Sequence, residues 1–202
     1  MTALALYQNP ASPFARKARV VISETGQDDE IAQIEVIGSP TAKVAAGNPN
    51  PIGKIPSLTR ADGPTLFDSR VICRFLNARA GAALYPDNRI WDVLTVEALA
   101  DGILDAAVAM VYEKRCRPEE KWSEDWLEGQ WSKVERGMTA LESQWISHLS
   151  GPLDIGQIGV GCALGYLDFR HPDRNWRQGR DTLVAWERRF AERPSMQATR
   201  PS

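Results

Sequence analysis

Three short segments of the chain carry residues that could hold an anionic ligand. The first is Ser12-Pro13, where an apolar run, Leu4-Ala5-Leu6-Tyr7, gives way to Asn9-Pro10-Ala11 and then to Phe14-Ala15-Arg16-Lys17-Ala18-Arg19. A serine at a helix start accepts from the orphan backbone N–H groups of the first turn. Proline suits the next position, because it has no N–H to lose and its φ is already set. The hydroxyl then lies at the positive end of a helix dipole, where a thiolate or another anion is stabilised. An ordinary helix cap has the same residues, so both roles stand on this segment alone. The second segment is Asn48-Pro49-Asn50-Pro51-Ile52-Gly53-Lys54-Ile55-Pro56-Ser57-Leu58. A proline inside a short strand signal belongs at an edge or bend. A cis Ile55–Pro56 bond would turn the Ile55 backbone outward to pair with a peptide-like ligand, whereas a trans bond would simply end the loop. The third is Phe67-Asp68-Ser69-Arg70, a second helix start that either grips a carboxylate through backbone N–H groups and the Ser69 hydroxyl or serves as a plain cap. Two helix N-termini and one exposed strand edge together suit a small anionic peptide.

The elements that must position these segments follow from periodicity. Residues 1–80 alternate strand-like and helical runs. Leu4 to Tyr7 predicts a strand, Pro13 to Thr25 a helix stopped by Gly26, and Ile31 to Ile37 a half-buried strand of alternating pattern. Gly47 to Gly53 is a loop, Ile55 to Leu58 and Thr65 to Phe67 are short strands, and Asp68 or Ser69 caps a helix through Val71, Ile72, Phe75 and Leu76. This order implies a mixed sheet with helices packed on it. A linker at 81–88 leads to a wholly helical region, 89–202. There Trp91 to Lys114 is one helix, and Glu124 to Leu149 is another with a core stripe of Leu127, Trp131, Val134, Met138, Leu141 and Trp145. A helix from Asp154 is apolar nearly all round and is expected to be central, with Asp154 and Gln157 at capping-box spacing. Gly156, Gly159 and Gly161 do not follow a strand, which favours close helix packing over a nucleotide loop. Asp181 to Glu192 closes the helical set.

Composition excludes several functions. A net charge of −2 gives no basic field for nucleic acid or an anionic membrane. No apolar run is long enough to span a bilayer, and the N-terminus has no leader-like pattern. Cys73, Cys116 and Cys162 are odd in number and lack Cys-x-x-Cys spacing, and the histidines are only His148 and His171. Buried free thiols, no metal and a reducing cytoplasm are therefore expected.

Taken in order, Ser-Pro-Phe-Ala-Arg-Lys-Ala-Arg, Asn-Pro-Ile-Gly-Lys-Ile-Pro-Ser-Leu and Phe-Asp-Ser-Arg resemble the glutathione S-transferase family, in a bacterial form with a serine at the active site. Glu97 to Asp105, Gly165 to Arg170 and the closing Arg193-Pro194-Ser195 extend the resemblance over essentially the whole chain. It implies an α/β thioredoxin-like N-terminal domain with a cis-proline, an all-α C-terminal domain, and a cytoplasmic homodimer. Glutathione would be the co-substrate and a small electrophile the acceptor, with no metal, nucleic acid or membrane partner. Ser12 would donate to the glutathione sulfur, Ile55 would pair its backbone just before Pro56, and Lys54 would reach the glycine carboxylate. Asp68 and Ser69 would hold the γ-glutamyl end. Asp105 occupies a place from which some members reach across the dimer, although Asp101 and Asp105 also fit a solvated i,i+4 acidic pair.

The chain departs from the family pattern in places. Asp68-Ser69 replaces the commoner Glu-Ser, one methylene shorter. Gln157 stands where an Asp is common, with Asp154 as the compensating cap. Tyr7 lies near the Ser12 turn, and a tyrosine at the end of the first strand activates the thiol in some classes; the Ser-Pro helix start favours Ser12. Tyr7, Phe14, Met110 and Tyr112 are then candidates for the acceptor pocket, although core packing is the stronger reading of Met110 and Tyr112. Two activities fit: a transferase that conjugates glutathione to an apolar electrophile, or a non-catalytic ligand-binding or regulatory relative. A glutathione-dependent thiol reductase would need a protein thiolate, and none stands near position 12.

Overall fold

The computed structural model describes residues 4–36, 41 and 47–202. They form two compact units: the described residues up to Asp87 together with Pro194–Ser202, and Asn88–Arg193. The sequence placed all of 89–202 in the second unit. The difference arises because Arg16 and Glu24 of the first helix bond the C-terminal segment, at Met196 and Ser195.

In the first unit, β1 (Leu4–Gln8), α1 (Pro13–Glu24), β2 (Ile31–Glu35), β3 (Ser57–Arg60), β4 (Gly63–Leu66) and α2 (Ser69–Ala80) follow in order. The sheet order is β2-β1-β3-β4, with β1–β2 parallel and both other pairs antiparallel. Leu6 and Leu58 of the sheet, Ala18, Val21 and Ile22 of α1, and Ile72 and Leu76 of α2 are fully buried and form its core. The alternation expected in β2 does not translate into burial. Only Ile31 of the strand is buried and Ile34 is 39% exposed, because β2 is an edge strand paired to β1. Ile37 lies outside the described residues. The strand expected from Ile55 starts instead at Ser57, since Pro56 has no N–H to give to a ladder.

The second unit is helical: α3 (Ile90–Cys116), α4 (Glu124–Ala140), a widened π-helical turn (Leu141–Trp145), α5 (Ile146–Leu149), α6 (Ile155–Arg170) and α7 (Asp181–Ala191). The single helix expected over 124–149 is thus interrupted by the wide turn. Within that turn, the Glu142 carboxylate accepts from the backbone N–H groups of Thr182 and Leu183, at 3.2 and 2.6 Å. It thereby caps α7, whose own N-cap residue makes no side-chain cap. Every residue from Ile155 to Leu164 is buried, so α6 is the central helix of its unit. Of its glycines, Gly156 serves close packing: a Cβ there would come within 2.9 Å of the Val96 side chain on α3. A short helix, α8 (Pro194–Ala198), belongs to the first unit.

Several expectations need correction. Asp101 is not on a solvated face; it is 1% exposed, because the buried stripe of α3 runs through Val93, Glu97, Ala100, Asp101 and Leu104. Asp105 falls outside the stripe and is exposed. Cys73 and Cys162 are buried and in no disulfide, but Cys116 is exposed, being the last residue of α3 beyond the core. The capping box at α6 is half formed. Asp154 Oδ1 accepts from Gln157 N at 3.1 Å, while the Gln157 amide turns to the carbonyls of His148, Gly151 and Pro152 in the preceding loop.

Burial holds the His171 pKa below its usual 6.5, opposed in part by the 3.0 Å hydrogen bond between Nε2 and the Ala107 carbonyl. Between that ordinary value and the lower folded one, the unfolded chain binds more protons than the folded chain, so stability rises with pH and is lost as pH falls. Urea midpoints should therefore drop from about pH 7 to about pH 5.5, and His171→Gln should flatten that slope.

Candidate functional site

Register brings the three sequence segments to one end of one sheet. Tyr7 pairs with Ser57 and Leu6 with Leu58, so the chain leaving β1 toward Ser12 lies beside the chain entering β3 from Pro56. Leu58 also pairs with Leu66, so the chain leaving β4 toward Asp68 emerges at the same end. With neighbouring strands about 4.8 Å apart, the three segments converge across three adjacent strands.

Each segment is held by its own local chemistry. Ser12 is the N-cap of α1, with extended φ and ψ, and its Oγ accepts from Ala15 N at 3.3 Å. A hydroxyl has one donor and two acceptor lone pairs, so this cap uses only a lone pair and leaves the O–H free to donate. The turn before it is organised by Asn9, whose Oδ1 accepts from Ala11 N at 3.0 Å and whose carbonyl accepts from Ser12 N at 2.9 Å. The Asn9 amide donates to Val36 O at 3.3 Å, tying the turn to the end of β2.

The second segment rests on two asparagines, Asn48 and Asn50, to which sequence reasoning assigned no role. Asn50 is 2% exposed; its amide donates to Lys54 O at 2.7 Å and its Oδ1 accepts from Ile52 N at 3.1 Å. Asn48 donates to the same carbonyl at 3.1 Å and accepts from Ser57 Oγ at 2.8 Å. Gly53, at φ +70°, closes the turn by donating to Asn50 O. These bonds fix the backbone on both sides of Ile55–Pro56, a cis peptide bond. The spacing Asn-x-Asn ahead of a Gly was the available signal, since Asx side chains build turns. Losing the Asn50 side chain removes two part-buried hydrogen bonds, to Lys54 O and from Ile52 N, at about 1–3 kcal/mol together. Asn50→Ala should therefore lower the urea midpoint with little change in slope.

In the third segment Asp68, not Ser69, is the N-cap of α2, and its Oδ1 accepts from Arg70 N at 3.0 Å. The Phe67–Asp68 peptide bond is also cis. Asp68 is exposed and Ser69 is 3% exposed, so the carboxylate faces solvent while the hydroxyl lies within the fold. Lys54 is exposed, and Tyr7 and Phe14 are half-buried on either side of the Ser12 turn.

The remaining candidates lie on α3 of the helical unit. Met110 is 1% exposed and is a core residue; Tyr112 is 43% exposed, and Asp105 is exposed. Among the described residues, no group of three or more His, Cys, Asp and Glu side chains could hold a metal ion. No helix among them is long and apolar enough to cross a membrane.

Comparison with known proteins bears on the fold. Residues 11–79 match the family model "Glutathione S-transferase, N-terminal domain", and residues 124–189 match "Glutathione S-transferase, C-terminal domain". The chain is 32% identical over 195 residues to an uncharacterised GST-like protein, YibF, of Escherichia coli K12, covering 94% of this chain and 95% of the other. A glutathione transferase family member from Pseudomonas fluorescens Pf-5, solved with bound glutathione, is 48% identical and superposes with a TM-score of 0.95 over 99% of this chain and 100% of the other. A Pseudomonas fluorescens Pf-5 family member was also solved with S-(propanoic acid)-glutathione. A glutathione S-transferase from Methylobacillus flagellatus KT with glutathione bound is 36% identical, with a TM-score of 0.86 over 99% of this chain and 100% of the other.

Proposed function

Because this chain belongs to the glutathione S-transferase family, we propose that it binds glutathione at the sheet end formed by Ser12, Lys54–Pro56 and Asp68–Ser69, and transfers the thiolate to a small, mostly apolar electrophile. The observation that carries the proposal is Ser12: its Oγ caps α1 through a lone pair, which leaves its O–H for the sulfur. The bound glutathione of the relatives supports the ligand, and the S-substituted glutathione of one supports thioether chemistry.

A free thiol has a pKa of about 8.5, so only a few per cent is thiolate at neutral pH. A charge-assisted hydrogen bond from Ser12 and the positive end of α1 favour the thiolate by about 1–3 kcal/mol. At about 1.4 kcal/mol per tenfold change, that makes the anion a major species near neutrality. The proton leaves to solvent, and the sulfur lone pair forms the new C–S bond as the electrophile's leaving group departs or its π bond opens. Ile55 pairs its backbone with the cysteinyl peptide, Lys54 meets the glycine carboxylate, and the exposed N-terminus of α2 meets the γ-glutamyl carboxylate. The proposal takes the working form as a cytoplasmic homodimer, with Asp105 as the candidate to reach the partner's glutathione.

Purified protein should bind glutathione in calorimetry and form thioethers with members of an electrophile panel, read by mass spectrometry. Tight binding without turnover across the panel would instead identify a ligand-binding or regulatory relative. No binding at all would reject the site.

A further inference from the structure

The first turn of α1 is anchored from outside the helix. Arg16 donates its backbone N–H to the Ser12 carbonyl at 2.9 Å, closing the turn that Ser12 opens. Its side chain is 5% exposed and reaches into the C-terminal segment of the same unit. There Nη2 donates to Met196 O at 3.0 Å and Nε to Thr199 Oγ1 at 3.4 Å. The Thr199 hydroxyl donates to Ser195 O at 2.8 Å, which orients an oxygen lone pair toward the guanidinium. At the far end of α1, Ser195 Oγ donates to Glu24 Oε1 at 2.5 Å. α8 and the residue following it therefore hold α1 by both its first and its last turn.

Helix stability by itself does not call for this arginine. A cation in a first turn opposes the helix dipole, and a buried guanidinium is tolerated only where its donors are met. Its planar fork suits two fixed acceptors in a way a lysine ammonium does not.

We propose that Arg16 is a positioning residue for Ser12: anchored on Met196 and Thr199, it fixes the first turn of α1 so that the Ser12 hydroxyl meets the glutathione sulfur. The proposal rests on Ser12 being the thiolate donor. A catalytic group displaced by about 1 Å can lose about a hundredfold in rate, so small motions of this turn are enough to matter.

The test is titration of the bound glutathione thiol by thiolate ultraviolet absorbance, with kcat and KM for glutathione, in wild type, Arg16→Met, Arg16→Lys, Thr199→Val and Ser12→Ala. Arg16→Met should raise the bound thiol pKa by about one unit and lower kcat at neutral pH about tenfold, one unit being a tenfold change in ionisation. Its KM should stay within about twofold, because the peptide grips at Lys54–Pro56 and Asp68–Ser69 are untouched. Arg16→Lys should recover part of the loss, and Thr199→Val should show a smaller shift in the same direction. A folded Arg16→Met protein with the wild-type titration would overturn the proposal. If Arg16→Met does not fold, Thr199→Val decides, and an unshifted titration in it is equally fatal. Ser12→Ala separates the two ideas. If it leaves the titration unchanged, the role of Ser12 fails and that of Arg16 with it; if it shifts the titration while the Arg16 and Thr199 variants do not, only the role of Arg16 fails.

Discussion

Ser12→Ala should lower kcat/KM for glutathione conjugation at neutral pH by about 10- to 100-fold, since a hydrogen bond to a charged group is worth about 1.5–3 kcal/mol. The loss should fall on kcat, with KM for glutathione little changed, because the hydrogen bond matters most to the ionised sulfur. The rate–pH profile should move with it. Without the donor, the bound thiol ionises at higher pH, so activity recovers on the alkaline side. Ser12→Thr retains a hydroxyl and should keep much of the rate. Alanine also removes the cap that accepts from Ala15 N, which adds a loss of about 1 kcal/mol in stability. The two effects separate cleanly: chemical melts report the cap, and the pH profile reports the donor. A Ser12→Ala enzyme with wild-type rate and profile would return the assignment to Tyr7.

The largest expected effect on stability is at Asp154. It is completely buried, caps α6 through Gln157 N, and faces Arg89 at 2.7 Å and His148 at 2.9 Å through its other oxygen. α6 is the helix around which the second unit packs. Asp154→Ala removes the cap and leaves two basic groups facing an apolar methyl. Breaking a buried pair by deleting one partner typically costs about 3–5 kcal/mol. Arg89 keeps 24% exposure and can hydrate, which favours the lower end, about 3 kcal/mol. For a chain of this length, about 2–4 °C per kcal/mol makes that about 6–12 °C in melting temperature. Asp154→Asn retains the capping oxygen and should lose less than alanine does. Thermal melts of the two variants separate the cap from the charge: equal losses would show that the cap adds nothing, and an Asp154→Asn protein as stable as wild type would show that the charge does nothing.

The helix caps, two of them in the candidate site, were legible because their chemistry is local. Ser12-Pro13, Asp68 and Asp154 are recognisable from the residues around each, since capping depends on the next few N–H groups. Asn9, Asn48 and Asn50 went unassigned because the groups they bond are set by the fold of the turn or, for Val36, by a strand distant in sequence. Burial on α3 was harder to read. A carboxylate such as Asp101 looks solvated in any periodicity count, yet its stripe faces inward. The edge strand β2 shows the converse, with an alternating pattern and little burial. α8 is five residues long and carries too little periodicity to announce itself, and the partners that define it, Arg16 and Glu24, lie near the other end of the chain.

That last arrangement has a consequence for synthesis. The unit begun first on the ribosome is finished last, because the acceptors for Arg16 emerge only after all of Asn88–Arg193. Chains generally fold unit by unit as they emerge. Here the helical unit has every residue it needs before the Ser12 turn receives its anchor. A nascent chain therefore carries α1 for most of its elongation without the C-terminal anchor on Arg16 and Glu24, and a fragment cut at Asp87 would keep that unfinished state.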